Sequence, residues 1–373
     1  MDFYRSKLDT SFVIMKKYLF LFVVLFLLSC KSDDSDVPTT PDGSMYFPPL
    51  TGNTWQSFSP SSLGWNTNHV QPLLDYLDSK NTKGFIILKD GNIVIEQYFN
   101  GHSKFANWTW YSASKSLTSV AVGIAQDEGF LDINNKTSDY LGANWSSLTR
   151  DKQDLISVKH HLTMTSGLMN MQSNFLDWIC TPPSCMKYQA DAGTVWGYHQ
   201  GAFIQVQNIL SQSTGMNFKP FIRAKILDKI GMQGSWSSLS YLNLFSSSTR
   251  SMARFGLLAL NNGVWNGNTI VSNSYFNAMV TTSQNLNKSY GYLWWLNGKE
   301  SFIGTDSQVF SGAIIPNAPN DMFAALGAKD QKIYVVPSKN IVVIRMGDAA
   351  GGDSLGLSSF DNELWAKINL VID

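Results

Sequence analysis

Trp110-Tyr111-Ser112-Ala113-Ser114-Lys115-Ser116 runs straight into Leu117, Val120, Ala121, Ile124 and Ala125, apolar residues at helical spacing, and Gly129 closes the run. A serine and a lysine three positions apart share one face of a helix, with their Cβ atoms about 5–6 Å apart. Ser112 then stands at a helix N-terminus, where free N–H groups and the helix dipole favour negative charge. Its own backbone N–H can form half of an oxyanion hole. A serine hydroxyl is a poor nucleophile until a base takes its proton, and a desolvated lysine can be that base. The plain alternative is a helix-capping serine beside a solvated lysine. The same spacing recurs at Ser184-Cys185-Met186-Lys187, but in a loop rich in Pro and Cys rather than on a helix.

Outward from this stretch the pattern changes twice. Residues 69–79 predict an amphipathic helix, and 84–88 with 93–99 predict a hairpin turning at Asp90-Gly91. From 132 to 283 the pattern is mostly helical, with helices over 158–164, 203–211, 218–230 and 250–261. Strands return at 322–326, 332–336 and 341–346, and a last helix covers 358–372. The expected fold is α/β of the α+β type. An antiparallel sheet is built from both termini (54–131 plus 284–373) and flanked by helices, with a mostly helical subdomain (132–283) inserted. The cleft belongs at their junction.

In these elements and their order the chain resembles the class C β-lactamase and penicillin-binding-protein superfamily of serine hydrolases, including its esterase and nylon-oligomer-hydrolase branches. The likeness spans residues 84–346. It rests on the hairpin, on Trp110 to Ser116, on Gly129-Phe130-Leu131-Asp132, and on Ile156 to Leu168. Gly193-Thr194-Val195-Trp196-Gly197-Tyr198, Ala253-Arg254-Phe255-Gly256 and Gly263-Val264-Trp265 complete it. The resemblance implies a β-lactamase/transpeptidase-like fold, Ser112 as acylated nucleophile and Lys115 as its proton acceptor. Tyr198 is implied as the proton relay of a Tyr-x-Asn motif, its phenol eased toward phenolate by the lysine cation. Two departures follow. The Asn position is Gln200, one methylene longer, with His199 between as a candidate cleft residue. The third box, usually Lys-Thr-Gly or His-x-Gly, falls at Ala328-Lys329-Asp330, which makes the N–H of Gln331 the second oxyanion donor and Lys329 a partial replacement for the missing cation. The altered third box tells against β-lactam hydrolysis and peptidoglycan carboxypeptidase activity, since both use that box to hold a carboxylate. Trp110 and Tyr111 are candidate pocket walls or core.

Composition and the N-terminus bound the setting. The 373 residues are 44% hydrophobic, with 28 basic against 28 acidic side chains, so no basic block exists to track a nucleic acid. Met15-Lys16-Lys17 precedes an apolar run from 18 to 28, too short for a comfortable membrane span and suited to a signal peptide over 1–29. Leu27-Leu28-Ser29-Cys30 resembles a lipobox that lipidates Cys30. An acidic, Pro/Thr/Gly-rich tether follows over 30–53, and the expected location is the outer membrane, reached only through the lipid. In that oxidising setting Cys180 and Cys185 read as a disulfide, with a metal site the weaker alternative.

Gly352-Asp353-Ser354-Leu355-Gly356 spells a hydrolase elbow, but all five histidines precede it, so the required downstream histidine is missing. The expectation is therefore an ester or amide hydrolase acting on a small molecule or short peptide, without metal or organic cofactor. The rival is a non-catalytic relative that binds peptides or cell-wall fragments in the same cleft.

Overall fold

The computed structural model describes residues 44–170, 174–351 and 356–373. The signal segment, Cys30 and Ser354 lie outside the described residues. Helix α1 (Val70–Ser79) precedes the hairpin of β1 (Thr82–Lys89) and β2 (Asn92–Tyr98). Asp90 (φ 49°) and Gly91 (φ 81°) turn it with two positive φ values, the twist that suits a tight hairpin. The short strand β3 (Trp108–Thr109) leads through a 3₁₀ turn at Tyr111–Ala113 into α2 (Ser114–Asp127). The middle of the chain carries α3 (Val158–Leu162), α4 (Phe175–Ile179), α5 (Gln200–Thr214) and α6 (Phe218–Ile222), then the hairpin β4 (Gly234–Leu239) and β5 (Leu242–Ser247). After α7 (Thr249–Leu260) and α8 (Asn273–Met279) come β6 (Trp295–Leu296), β7 (Phe323–Gly327), β8 (Gln331–Val336), β9 (Ile341–Gly347) and α9 (Ser359–Ile372).

Six strands form the main sheet in the order β2-β1-β9-β8-β7-β6, with all neighbours antiparallel. First and last segments of the chain therefore meet at β1 and β9, as Ile86 opposite Ile344 and Leu88 opposite Val342. Strands β8 and β9 are buried at every position, which requires cover on both faces. Helices α1 and α9 pack together and α1 contacts β1, while α7 packs against β1, β8 and β9. Helix α2 is buried from Ser114 to Ala125 and touches α5, α6, α8 and β7. A helix covered on all sides holds its first turn in a fixed place.

The structure revises the expected layout in three ways. Helix α7, counted with the inserted region, belongs to the sheet: its Gly256 lies so close to Val342 that an added Cβ would come within 2.5 Å of that side chain. The inserted region also contributes the hairpin β4–β5, which β3 from the preceding segment joins as a small sheet, β3-β5-β4. Finally, residues 45–49 are docked rather than tethered. Tyr46 N–H donates to Asp90 O at 2.9 Å, and Phe47 packs edge-on against Trp265 at 5.1 Å. Arg254 donates to the carbonyls of Pro48 and Pro49 at 3.4 and 2.7 Å. Among the described residues, no helix is long and apolar enough to cross a membrane.

Candidate active site

Ser112 sits in the 3₁₀ turn just before α2, and Lys115 in the first turn of that helix. The turn begins with Tyr111 at φ 48°, a conformation that non-glycine residues seldom adopt and that aims the next side chain out of the helix axis. Lys115 Nζ donates to Ser112 Oγ at 3.0 Å. The ammonium end is enclosed by ring faces, 4.6 Å from the centroid of Phe203 and 5.1 Å from that of Tyr198. Among the described residues Lys115 has no ion-pair partner, and burial pushes its pKa down to about 7. Near neutrality about half of such lysines carry a free amine lone pair at the serine hydroxyl. The second Ser-x-x-Lys copy is different: Ser184 and Lys187 are both exposed.

Tyr198 approaches from the segment leading into α5. Its ring stacks on Trp295 at 6.1 Å and meets Tyr290 edge-on at 6.5 Å, which fixes its plane. Burial raises its pKa above the ordinary phenol value, and a hydrogen bond with Ser112 only partly opposes this. The expected lowering toward phenolate is thus corrected: the burial that pushes the Lys115 pKa down also keeps Tyr198 a neutral phenol. Gln200, the first residue of α5, lines the same cavity and is nearly buried, with its Oε1 unpartnered. His199 does not line it. Its Nδ1 instead accepts from Ala202 N–H at 3.0 Å and caps α5, and burial depresses its pKa to about 4.

The third box is also corrected. Gly327 ends β7 hard against the nucleophile turn, and Ala328, the next residue, lines the cavity with Ser112. Gln331 has no exposed surface; it pairs with Gly327 in the sheet, and its amide nitrogen donates to Lys329 O and Gly347 O, both at 2.7 Å. It locks the turn from behind and is no cleft donor. The register therefore starts three residues earlier, at Ala325-Leu326-Gly327, which keeps the final glycine and puts alanine where the cation usually stands. Lys329 (φ 57°) points away to Asp348 at 3.8 Å and does not line the cavity. Trp110 is wholly buried, packed on Phe245 and Phe255 and donating to Ser247 Oγ at 2.8 Å, so it is core.

The cavity beside Ser112 measures about 210 Å³. Sequence reasoning missed most of its wall: Phe175 and Trp178 on α4, Phe203 on α5, Leu242 and Leu244 on β5. Phe203 could have been found, one helical turn after Gln200; the others come from segments distant in sequence with no motif. Cys180 and Cys185 are disulfide-bonded as expected, immediately after α4, and Gln205 Nε2 donates to Thr181 O at 2.9 Å. Together these fasten the aromatic wall to α5.

The sequence signature of the beta-lactamase family matches residues 83–357, most of the chain. The chain belongs to that family. A curated relative, an uncharacterised protein of Alkalihalophilus pseudofirmus, is 23% identical over 323 residues, covering 76% of this chain and 88% of its own. Among solved structures, a Bacillus anthracis protein provisionally named a 6-aminohexanoate-dimer hydrolase is 19% identical. It covers 90% of this chain and 88% of its own, at a TM-score of 0.64. A family VIII carboxylesterase is 14% identical, covering 81% and 98%, at 0.60. A D-stereospecific amidohydrolase from Streptomyces is 12% identical, covering 80% and 97%, at 0.56. At such identities the structures share the fold. Membership of the beta-lactamase family supports a hydrolase, and the antiparallel sheet with its helical cover is that family's architecture.

Proposed function

We propose that this beta-lactamase family member is a serine hydrolase that cleaves an ester or amide through an acyl-enzyme on Ser112. The observation that carries the reading is the 3.0 Å contact between Lys115 Nζ and Ser112 Oγ, with the lysine desolvated toward a pKa of about 7. In the neutral form the amine takes the hydroxyl proton as Oγ bonds to the substrate carbonyl carbon. The carbonyl oxygen becomes an oxyanion held by the N–H groups of Ser112 and Ala328. On collapse the C–O or C–N bond breaks, and the departing oxygen or nitrogen receives the proton from Lys115 by way of the Tyr198 hydroxyl. Water then repeats the sequence on the acyl carbon: its proton goes to Lys115, and Ser112 Oγ leaves as the hydroxyl, reprotonated.

Ser112→Ala should abolish turnover of p-nitrophenyl esters and labelling by a fluorophosphonate probe. Full activity in that variant ends the reading. We further propose an exported lipoprotein anchored at Cys30. Metabolic labelling with an alkyne-tagged palmitate should mark the wild type, and a labelled Cys30→Ser variant would refute it.

A further inference from the structure

Resting on the acyl-enzyme reading above, we propose that the acyl group carried by Ser112 is an uncharged, apolar chain of medium length. The cavity beside the nucleophile is walled by Tyr111, Phe175, Trp178, Phe203, Leu242 and Leu244. Lys115 is the only ionisable side chain among its lining residues apart from the Tyr111 phenol, and burial already drives it toward the neutral amine. A carboxylate placed here would lose its hydration and could pair only with Lys115, which would hold the catalytic amine protonated, since Lys329 is turned to Asp348 at 3.8 Å and Ala325 stands at the usual cation position. The buried polar atoms on lining residues that have no partner among the described residues are Gln200 Oε1 and Trp178 Nε1, both uncharged, and Asn243 is already bonded to Gln207 at 3.0 Å.

Which side of the scissile bond fills the cavity follows from the proton path. Tyr198, which serves the departing group, is not among the cavity's lining residues. The acyl part is assigned to the cavity on this ground, and the leaving group to the Tyr198 side. The apolar surface also continues outward. On one side of the cavity Phe175 and its neighbour Leu176 are exposed, at 46% and 62%. On the other, Leu239 pairs with the lining residue Leu242 and is itself exposed, next to the hairpin tip at Tyr241. A chain too long for the cavity meets apolar side chains at its mouth, where an acetyl group reaches none of them.

The test is the kcat/KM series for p-nitrophenyl acetate, butanoate and octanoate, with the hemisuccinate as a charged acyl of modest length, on wild type and Leu244→Asp. We expect a rise of roughly three- to fourfold per methylene within the cavity, the rate equivalent of about 0.8 kcal/mol per buried CH₂. The hemisuccinate should be at least about tenfold poorer than butanoate, because its carboxylate is desolvated and any pairing with Lys115 keeps the amine protonated. Leu244→Asp should cut the octanoate-to-acetate ratio by about tenfold or more, and a ratio is insensitive to the amount of folded enzyme. Hydrolysis of every ester with a flat or falling series, or preference for the hemisuccinate, overturns the apolar-acyl inference and leaves the Ser112 reading standing. No hydrolysis of any ester together with no fluorophosphonate adduct at Ser112 overturns the reading itself, and the inference with it.

Discussion

The carbonyl oxygen of Trp110 occupies the space where a side chain on Gly327 would begin: an added Cβ there would lie 2.2 Å from that oxygen and 3.0 Å from Ala113 N. Gly327 has an ordinary extended backbone (φ −130°, ψ 155°), so close approach alone demands glycine. Both contacts are to backbone of the turn that carries Ser112, and backbone does not rotate aside. Gly327→Ala should push the turn off the strand and lower kcat by about a hundredfold, the scale of a misplacement near 1 Å. Steady-state kinetics alongside circular dichroism checks this. A folded variant with wild-type kcat would show that the strand end and the nucleophile turn are not mechanically linked.

Ala328 supplies a second test of the same junction. If its N–H holds the oxyanion, Ala328→Pro removes the donor while Ala328→Gly keeps it. The extended conformation of Gly327 is one that a following proline accepts. The proline variant should lose about 10²–10³ in kcat, the usual cost of one oxyanion donor, and the glycine variant much less. Equal losses in both would point to turn geometry rather than the N–H.

The protonation states give a pH profile. Lys115 must be neutral to accept the Ser112 proton, and its pKa is lowered to about 7 by burial. Tyr198 is shifted the other way, so it adds no descending limb near neutrality. The dependence of kcat/KM on pH should therefore be a single ascending limb with its midpoint near the lysine value, flat above it. A midpoint near the ordinary lysine pKa of 10.5 would mean that Lys115 is solvated in the working enzyme.

How much of this was legible beforehand depends on whether the signal is local. Ser112 and Lys115 share one helix face, and the apolar rhythm of α2 announces that face in the sequence itself. The sheet was equally plain, because the short apolar runs and turn residues of β1, β2, β8 and β9 are short-range signals. The third box was misread by three residues because Ala325-Leu326-Gly327 keeps only its glycine, and only the contact of Gly327 with Trp110 O reveals the register. Trp178 and Leu244 line the same cavity from segments more than sixty residues apart, and no spacing rule joins them. The direction of the Tyr198 shift was misjudged for a related reason. A lysine cation nearby lowers a phenol's pKa, but burial of the pair drives Lys115 toward the neutral amine and raises the phenol at the same time.

That discharge has a stability consequence. In the folded state the Lys115 pKa is about 7 against an ordinary 10.5, so between those values the unfolded chain binds one more proton than the native protein. Wild-type stability from this group therefore rises with pH across that window, and the penalty of burying the ammonium is complete only below it. Lys115→Met keeps a chain of similar length against Phe203 and removes the titration, at the loss of one hydrogen bond to Ser112. The variant should be inactive yet more stable than wild type at neutral pH, by on the order of 1–4 kcal/mol. The gap should shrink steadily as pH climbs toward 10. Urea unfolding of both proteins across that range measures it. A gap independent of pH would place the lysine in water, and a less stable variant at neutral pH would mean that the ammonium has a partner holding it in the folded protein.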